Sequence, residues 1–235
     1  MKIKNEEITN FLTKIKGNTE FADVDMIVDF SETGIKINAV NPEKTVVLTA
    51  NLSNNAFIEY EQIGKIGIQR LGDIINILKT FSDEVELKIE GNILTIKEKG
   101  RKVELELVDL STILEAPELK KEMTFSENIT LQGKDICAFL NDASMNKDYT
   151  TYLTTEKGKV IFNNSGRYKF TKEIESLDCI GGNKLKLGVP FANVIKPLMG
   201  TITFGLGEGM PLKLIEKTEN SNISIIVAPM SLDEK

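Results

Sequence analysis

The chain has 235 residues, 41% of them hydrophobic and 27% charged, and its 29 Lys and Arg against 35 Asp and Glu give a formal net charge of −6. That length supports one large domain or two small ones, each burying a core, and no apolar run is long enough to cross a bilayer as a helix. With no histidine the commonest general base and metal ligand are missing, and an acidic chain can grip nucleic-acid phosphates only if its lysines and arginines are segregated on one surface.

In chain order, Met1-Lys2-Ile3-Lys4 carries no apolar signal segment behind it. Ile8, Phe11, Leu12 and Ile15 then recur at helical spacing and predict a first helix of about three turns. Ile66 to Gln69 is a short alternating strand running into a second helix with Leu71, Ile74, Ile75 and Leu78 on one face. A strand at Val85–Ile89, a turn at Glu90-Gly91-Asn92, a strand ending in Ile96-Lys97-Glu98-Lys99 and a turn at Lys99-Gly100-Arg101 read as hairpins. Beyond them Val103, Leu105 and Leu107 point one way while Lys102, Glu104 and Glu106 point the other. From Ser111 to Met123 the alternation stops, a proline appears and charge clusters, so this stretch reads as an extended linker.

The same series then begins again. Ile136, Phe139, Leu140 and Ala143 predict a third helix; Leu185 to Gly188 is a strand leading into a fourth, with Phe191, Val194, Ile195 and Leu198 inward. Pro190 suits its first turn, and Pro197 should end or kink it. Ile202–Leu206, the glycine turn Gly207-Glu208-Gly209, a strand ending in Leu214-Ile215-Glu216-Lys217, and the alternating Ile223, Ile225 and Val227 follow. The segment Glu32–Asn38 matches Glu156–Asn163, and Ile8–Leu12 matches Ile136–Leu140. The offset of roughly 120–130 residues is one domain long, too long for a solenoid repeat. The expected fold is therefore α+β: two tandem copies of one domain, each with short helices on one face of a largely antiparallel sheet. The boundaries expected are 1–110, a linker at 111–123, and 124–235.

Enzymatic signatures are missing. The sequence has no glycine-rich phosphate loop and no Gly-x-Ser-x-Gly elbow. Gly205-Leu206-Gly207-Glu208-Gly209 lies between strands rather than before a helix and reads as a turn. Cys137 sits in an apolar run, and with Cys179 makes neither a disulfide framework nor a zinc site. No catalytic residue, metal or cofactor is expected.

Four segments resemble the proliferating cell nuclear antigen family, its archaeal clamps in particular. They are Ala39-Val40-Asn41-Pro42-Glu43-Lys44-Thr45-Val46-Val47-Leu48; the helix Ile74-Ile75-Asn76-Ile77-Leu78-Lys79; the linker with Pro117-Glu118-Leu119; and Met210-Pro211-Leu212 followed by Ile225-Ile226-Val227-Ala228-Pro229. Their order and the twofold repetition cover essentially the whole chain. Val40, Asn41 and Thr45 depart from the family's usual Met, Asp and Val, and the helix from Lys134 to Ser144 lacks the basic residues common there.

The resemblance implies a head-to-tail homotrimeric ring, with twelve helices lining a hole and sheets outside. It implies a non-enzymatic processivity factor that encircles double-stranded DNA without sequence preference. Through short peptides the ring would tether DNA polymerase, clamp loader, nuclease and ligase, in the cytoplasm of a prokaryotic or archaeal-type cell or in a nucleus, without a membrane. Lys14, Lys16, Arg70, Lys79, Lys134, Lys147 and Lys196, off or flanking the apolar stripes, become DNA-facing candidates. Val40, Val47, Leu114, Pro117, Leu119, Pro211, Val227, Ala228 and Pro229 become a groove for client peptides. Pairing of the edge Lys102–Asp109 with Gly166–Ile174 of the next subunit would close the ring, through Lys102, Val103, Leu105, Leu107, Arg167, Lys169 and Lys172. Two other readings stay open: a subunit of a heterotrimeric, viral or checkpoint clamp, and a protein-binding α+β module without a DNA ring. Molar mass in solution separates the three.

Overall fold

The computed structural model describes residues 1–117, 123–146 and 150–232. They fall into two compact units, Met1–Pro117 with Lys217–Ile223, and Glu118–Glu216 with Ser224–Lys235.

The first unit runs β1 (Lys2–Lys4), α1 (Asn5–Lys16), β2 (Met26–Ser31), β3 (Gly34–Val40), β4 (Val46–Ser53), β5 (Phe57–Glu59), β6 (Gly64–Ile68), α2 (Leu71–Leu78), β7 (Glu84–Glu90), β8 (Ile93–Glu98) and β9 (Arg101–Glu106). Its strands pair antiparallel in two runs, β5-β1-β7-β8-β9 and β4-β3-β2-β6. Alternation decides which face is inward: in β4, Val46, Leu48, Ala50 and Leu52 are buried while the residues between them are not. Those inward rows meet the apolar stripes of the helices. Ile8, Phe11, Leu12 and Ile15 of α1 and Leu71, Ile74, Ile75 and Leu78 of α2 are all buried, which is how helices this short are held.

The second unit repeats the series with β10 (Glu127–Gln132), α3 (Gly133–Ala143), β11 (Thr151–Glu156), β12 (Lys159–Ser165), β13 (Lys169–Glu175), β14 (Lys184–Leu187), α4 (Val189–Ile195), β15 (Thr201–Leu206), β16 (Leu212–Lys217) up to Glu216 and β17 (Ser221–Val227) from Ser224. The strand runs are β10-β15-β16-β17 and β13-β12-β11-β14. Phe139, Phe162 and Phe204 form a chain of ring contacts at its centre. Pro190 lies in the first turn of α4, and the helix stops at Ile195 ahead of Pro197, as the fixed φ and missing N–H of proline require.

Three local outcomes differ from the sequence reading. The linker does not start extended: Leu110–Thr112 is a 3₁₀ turn because the Asp109 carboxylate accepts from the Ser111 N–H at 2.9 Å. The edge strand in the first unit ends at Glu106, since Leu107 donates to Asn92 O and Val108 bridges back to Gly67. In the second unit Gly166–Tyr168 is a turn, the Gly166 N–H donating to Tyr168 O at 3.1 Å, and β13 begins only at Lys169.

Candidate functional site

Each helix pair is fixed at its ends. Asn5, the first residue of α1, is buried and donates through Nδ2 to the carbonyls of Leu78 (3.0 Å) and Phe81 (2.8 Å), satisfying the C-terminal end of α2. In the second unit the Gly133 N–H donates to Gly200 O at 2.7 Å. The Cys137 thiol donates to Lys196 O at 3.3 Å, and burial pushes its pKa up, leaving a protonated donor. The stripes being buried, the cations project from what remains of each helix surface. Lys14, Lys16 and Lys196 are half-buried, and Arg70, Lys79 and Lys134 are exposed; Lys147 lies outside the described residues.

These helix surfaces are close to electrically even. Arg70 pairs with Asp73 at 3.5 Å, α1 opens with Glu6 and Glu7, and α3 carries Asp135 and Asp142. Arg70 also has a left-handed backbone (φ 39°), uncommon for a side chain with a Cβ. Its N–H is held by the Asp25 carboxylate at 3.1 Å.

The groove residues separate by burial. In the first unit Val40 and Val47 are direct cross-strand partners, Val40 buried and Val47 half-buried, while Leu114 (57% exposed) and Pro117 face solvent. Ile113, not singled out from the sequence, is the linker residue that packs inward, with its side chain against Gly67. In the second unit Val227 is buried, Pro211 and Pro229 are half-buried and Ala228 is exposed. Leu119 lies outside the described residues. The turn between β3 and β4 hangs on Asn41, fully buried, whose Oδ1 accepts from the N–H groups of Thr45 and Val46 at 2.8 Å each. Its Nδ2 donates to Glu20, Glu43 and Thr45, so the Asn at this position is a hub that needs both its donor and its acceptor ends.

The two strands expected from the sequence to pair between subunits both end their strand runs. β9 ends the run β5-β1-β7-β8-β9, and β13 ends the run β13-β12-β11-β14. Val103, Leu105 and Leu107 are half-buried on β9 and just beyond it, as are Phe170, Lys172 and Ile174 on β13; Lys102 and Lys169 face outward, and Arg167 sits in the turn with its guanidinium 5.7 Å from the Tyr168 ring centroid.

One feature carried no sequence signal. Glu127, at the start of β10, is buried, and its carboxylate accepts from the N–H groups of Ile180 (2.5 Å) and Gly181 (2.6 Å), from Thr155 Oγ1 (3.0 Å) and from Asn183 Nδ2. Burial alone would raise its pKa, but these hydrogen bonds outweigh it and hold the carboxyl below its usual value. A lone Glu in an acidic chain gives no hint of this. Among the described residues no group of three or more Cys, Asp or Glu side chains is placed to hold a metal ion.

Two tandem units, each with two short helices and antiparallel sheets, define the class: a sliding-clamp fold. The chain is similar to solved proliferating cell nuclear antigen (PCNA) structures over almost all its length. Against Archaeoglobus fulgidus PCNA bound to the C-terminal region of FEN-1 the TM-score is 0.85 at 19% identity, covering 99% of this chain and 98% of that one. The PCNA2–PCNA3 complex of Sulfolobus tokodaii gives 0.77 at 19% identity, covering 97% and 99%. PCNA of Entamoeba histolytica gives 0.81 at 16%, covering 98% of each chain. In sequence the chain is 29% identical over 126 residues to a DNA polymerase sliding clamp of Natronomonas pharaonis, covering 52% of this chain and 51% of that protein. It is 28% identical over 158 residues to DNA polymerase sliding clamp 1 of Thermococcus kodakarensis, covering 60% and 61%. The match thus spans only about half to three-fifths of the curated relatives' length. No family model matches. The chain is a PCNA-type sliding clamp in fold, and its sequence relatives are archaeal sliding clamps.

Proposed function

We propose that this protein is a DNA polymerase processivity factor: a head-to-tail homotrimeric ring that encircles double-stranded DNA and tethers polymerase, nuclease, ligase and clamp loader without chemistry of its own. The observation that carries the reading is the duplication itself. Two copies of one helix-faced unit end in two different open edges, β9 and β13, and a heterologous contact between unlike edges closes into a ring when its rotation allows. The helices would face DNA through Lys14, Lys16, Arg70, Lys79, Lys134 and Lys196, a weak and sequence-blind contact suited to sliding. A cytoplasmic or nuclear site of action follows from that role. Molar mass in solution tests the assembly: the parent chain is expected as a trimer and Leu105→Pro, which takes an N–H out of the β8–β9 ladder and distorts the edge strand, as a monomer. A folded, trimeric Leu105→Pro variant rules out pairing through β9.

Client peptides would dock where the linker and the terminal Val227-Ala228-Pro229 stretch offer apolar anchors, with Leu114 the most exposed of them. Leu114→Ala combined with Pro229→Ala is expected to weaken a clamp-binding peptide by roughly 1–3 kcal/mol, the scale of losing buried anchors, while leaving the trimer intact. Calorimetry with such a peptide decides, and unaltered affinity moves the client site elsewhere.

A further inference from the structure

The loop Ser176–Asn183 joins β13 to β14 and combines two properties that rarely occur together. It is rigidly pinned: besides its three bonds to Glu127, from Ile180, Gly181 and Asn183, Ser176 donates to Gly158 O, Gly158 to Cys179 O, Gly182 to Thr155 O and Thr155 to Asn183 O, each at 2.9–3.0 Å. The Cys179 thiol is buried and donates to Lys159 O at 3.1 Å. Yet this fixed loop holds Leu177 at 102% and Ile180 at 72% exposure. Two apolar side chains presented on a preorganised support form a contact whose ordering cost is already met.

The charge order on the two edges says what covers them. Along β9, Lys102 precedes Glu104 and Glu106; along β13, Lys169 precedes Glu173 and Glu175, all on the outward faces. Parallel alignment sets Lys102 beside Lys169 and Glu106 beside Glu173, like against like. Antiparallel alignment with the half-buried faces together admits steps of two residues only. One step sets Glu104 opposite Glu173, and another sets Arg101 opposite Lys172. The step between them sets Lys102 opposite Glu173, Glu106 opposite Lys169 and Leu105 opposite Phe170, with no like charges facing. It extends the ion pair Lys159–Glu173, 3.3 Å within the chain, into a row across the contact. In that register Ser176 reaches the β8–β9 turn of the other copy, where Lys99 is exposed with its ammonium 3.7 Å from Asp83, and the Arg101 guanidinium donates to Thr80 O at 2.6 Å and lies 4.8 Å from the Phe81 ring centroid.

We propose that the Ser176–Asn183 loop is a docking knuckle for a second copy of this chain, Leu177 and Ile180 lying on the aliphatic stems of Lys99 and Arg101 while Glu175 and Asp178 meet their charged ends. The inference rests on the ring reading above and adds to it a contact beyond the strand pair. Long cationic side chains supply such a seat because their methylenes cover apolar groups while their heads stay at the rim.

Sedimentation equilibrium of the full chain tests it. Leu177→Ser with Ile180→Ser is expected to raise the dissociation constant of the assembly at least about tenfold, with the thermal unfolding of the monomer unchanged because both side chains are solvent-exposed in it. Asp178→Lys is expected to weaken assembly and Lys99→Asp, added to it, to restore most of the loss. A dissociation constant within about twofold of the parent's for the serine pair, beside a monomeric Leu105→Pro, overturns the knuckle and leaves the ring standing; so does a charge swap that fails to rescue. A parent chain that is monomeric at all concentrations overturns the ring and the knuckle together.

Discussion

Asn5 and Gly133 hold the same place in the two units, the first residue of the first helix, opposite the C-terminal end of the second. In the first unit the Asn5 side chain reaches the Leu78 carbonyl at 3.0 Å. In both units the N–H of that first residue also donates to the carbonyl just before the next strand, Asn5 to Asp83 O and Gly133 to Gly200 O, each at 2.7 Å; in the second unit the matching Leu198 carbonyl lies so close that a Cβ on Gly133 would stand 1.8 Å from its oxygen. Both units face one demand, carbonyls at a helix end that must find donors. Both use the backbone N–H of the first helical residue; the first unit adds a side-chain donor, whereas in the second the backbones approach too closely for any side chain. A duplicated fold thus repeats its unsatisfied groups more faithfully than the residues that satisfy them.

The comparison breaks most sharply at the glycine. Gly133→Ala is expected to destabilise the second unit by about 3 kcal/mol, since the clash is with backbone rather than with a movable side-chain end. Urea unfolding followed by hydrogen exchange should show the loss in 123–216 and not in 1–117. Asn5→Ala is the mirror experiment: it leaves two buried carbonyls short of a donor and is expected to cost the first unit about 2 kcal/mol. Equal losses in both units from either change would mean that the units unfold as one body and that the local account is wrong.

This difference marks the limit of what the sequence discloses. The four helices were legible because Ile8/Phe11/Leu12/Ile15 and its three counterparts repeat a 3.6-residue period, and the strands because Val103/Leu105 and Ile223/Ile225/Val227 alternate. The hairpin turns at Gly91 and Gly100, both with positive φ, were legible because only glycine adopts that backbone cheaply. Glu127, Asn5 and Asn41 were not, since a polar residue that ends up buried looks in sequence like one that stays wet. The partners that make its burial possible, Ile180 and Gly181 for Glu127 or Phe81 for Asn5, lie more than fifty positions away. The candidate sites divide the same way. Lys14, Lys79 and Lys196 could be placed by their helix phase, whereas the Leu177–Ile180 loop has no period to read.

The second unit's Glu127 sharpens the contrast from another side. The first unit covers the outer edge of β1 with β5, whereas the strand in the same place, β10, has its carboxylate bound by the 180–183 loop. A paired strand does not titrate in acid, but a carboxylate does. Because its folded pKa lies below the ordinary value of 4.5, the contribution of Glu127 is fully present above that value and is lost as pH falls through the lower folded one. Glu127→Gln is therefore expected to be less stable than the parent at pH 7, by roughly 1–2 kcal/mol for the bonds weakened, and the gap should shrink on acidification below pH 4.5. A gap independent of pH down to the acid unfolding of the parent would mean that the carboxylate's charge does not hold the loop.

The smallest expected difference lies in how the two units would meet DNA. The first unit's helices and their caps carry Lys4, Lys14, Lys16, Arg70 and Lys79 against Glu6, Glu7 and Asp73, five cations to three carboxylates; the second's carry Lys134 and Lys196 against Asp135 and Asp142, two to two. A surplus of two charges is modest, and exposed cations are screened within about 8–10 Å at ordinary ionic strength. Any single reversal should change clamp-dependent processivity on primed DNA very little. Reversal in sets separates the units: Lys14, Arg70 and Lys79 to Glu should reduce the salt dependence of DNA association more than Lys134 and Lys196 to Glu, by about 0.9 in slope for each phosphate no longer neutralised. The variants should remain folded, because none of these side chains belongs to the apolar stripes that hold the helices. If both sets leave the slope and the processivity at low salt unchanged, the helices do not face DNA. If the second set has the larger effect, the DNA contact is set by which cations the ring brings nearest the phosphates, and not by the charge each unit carries.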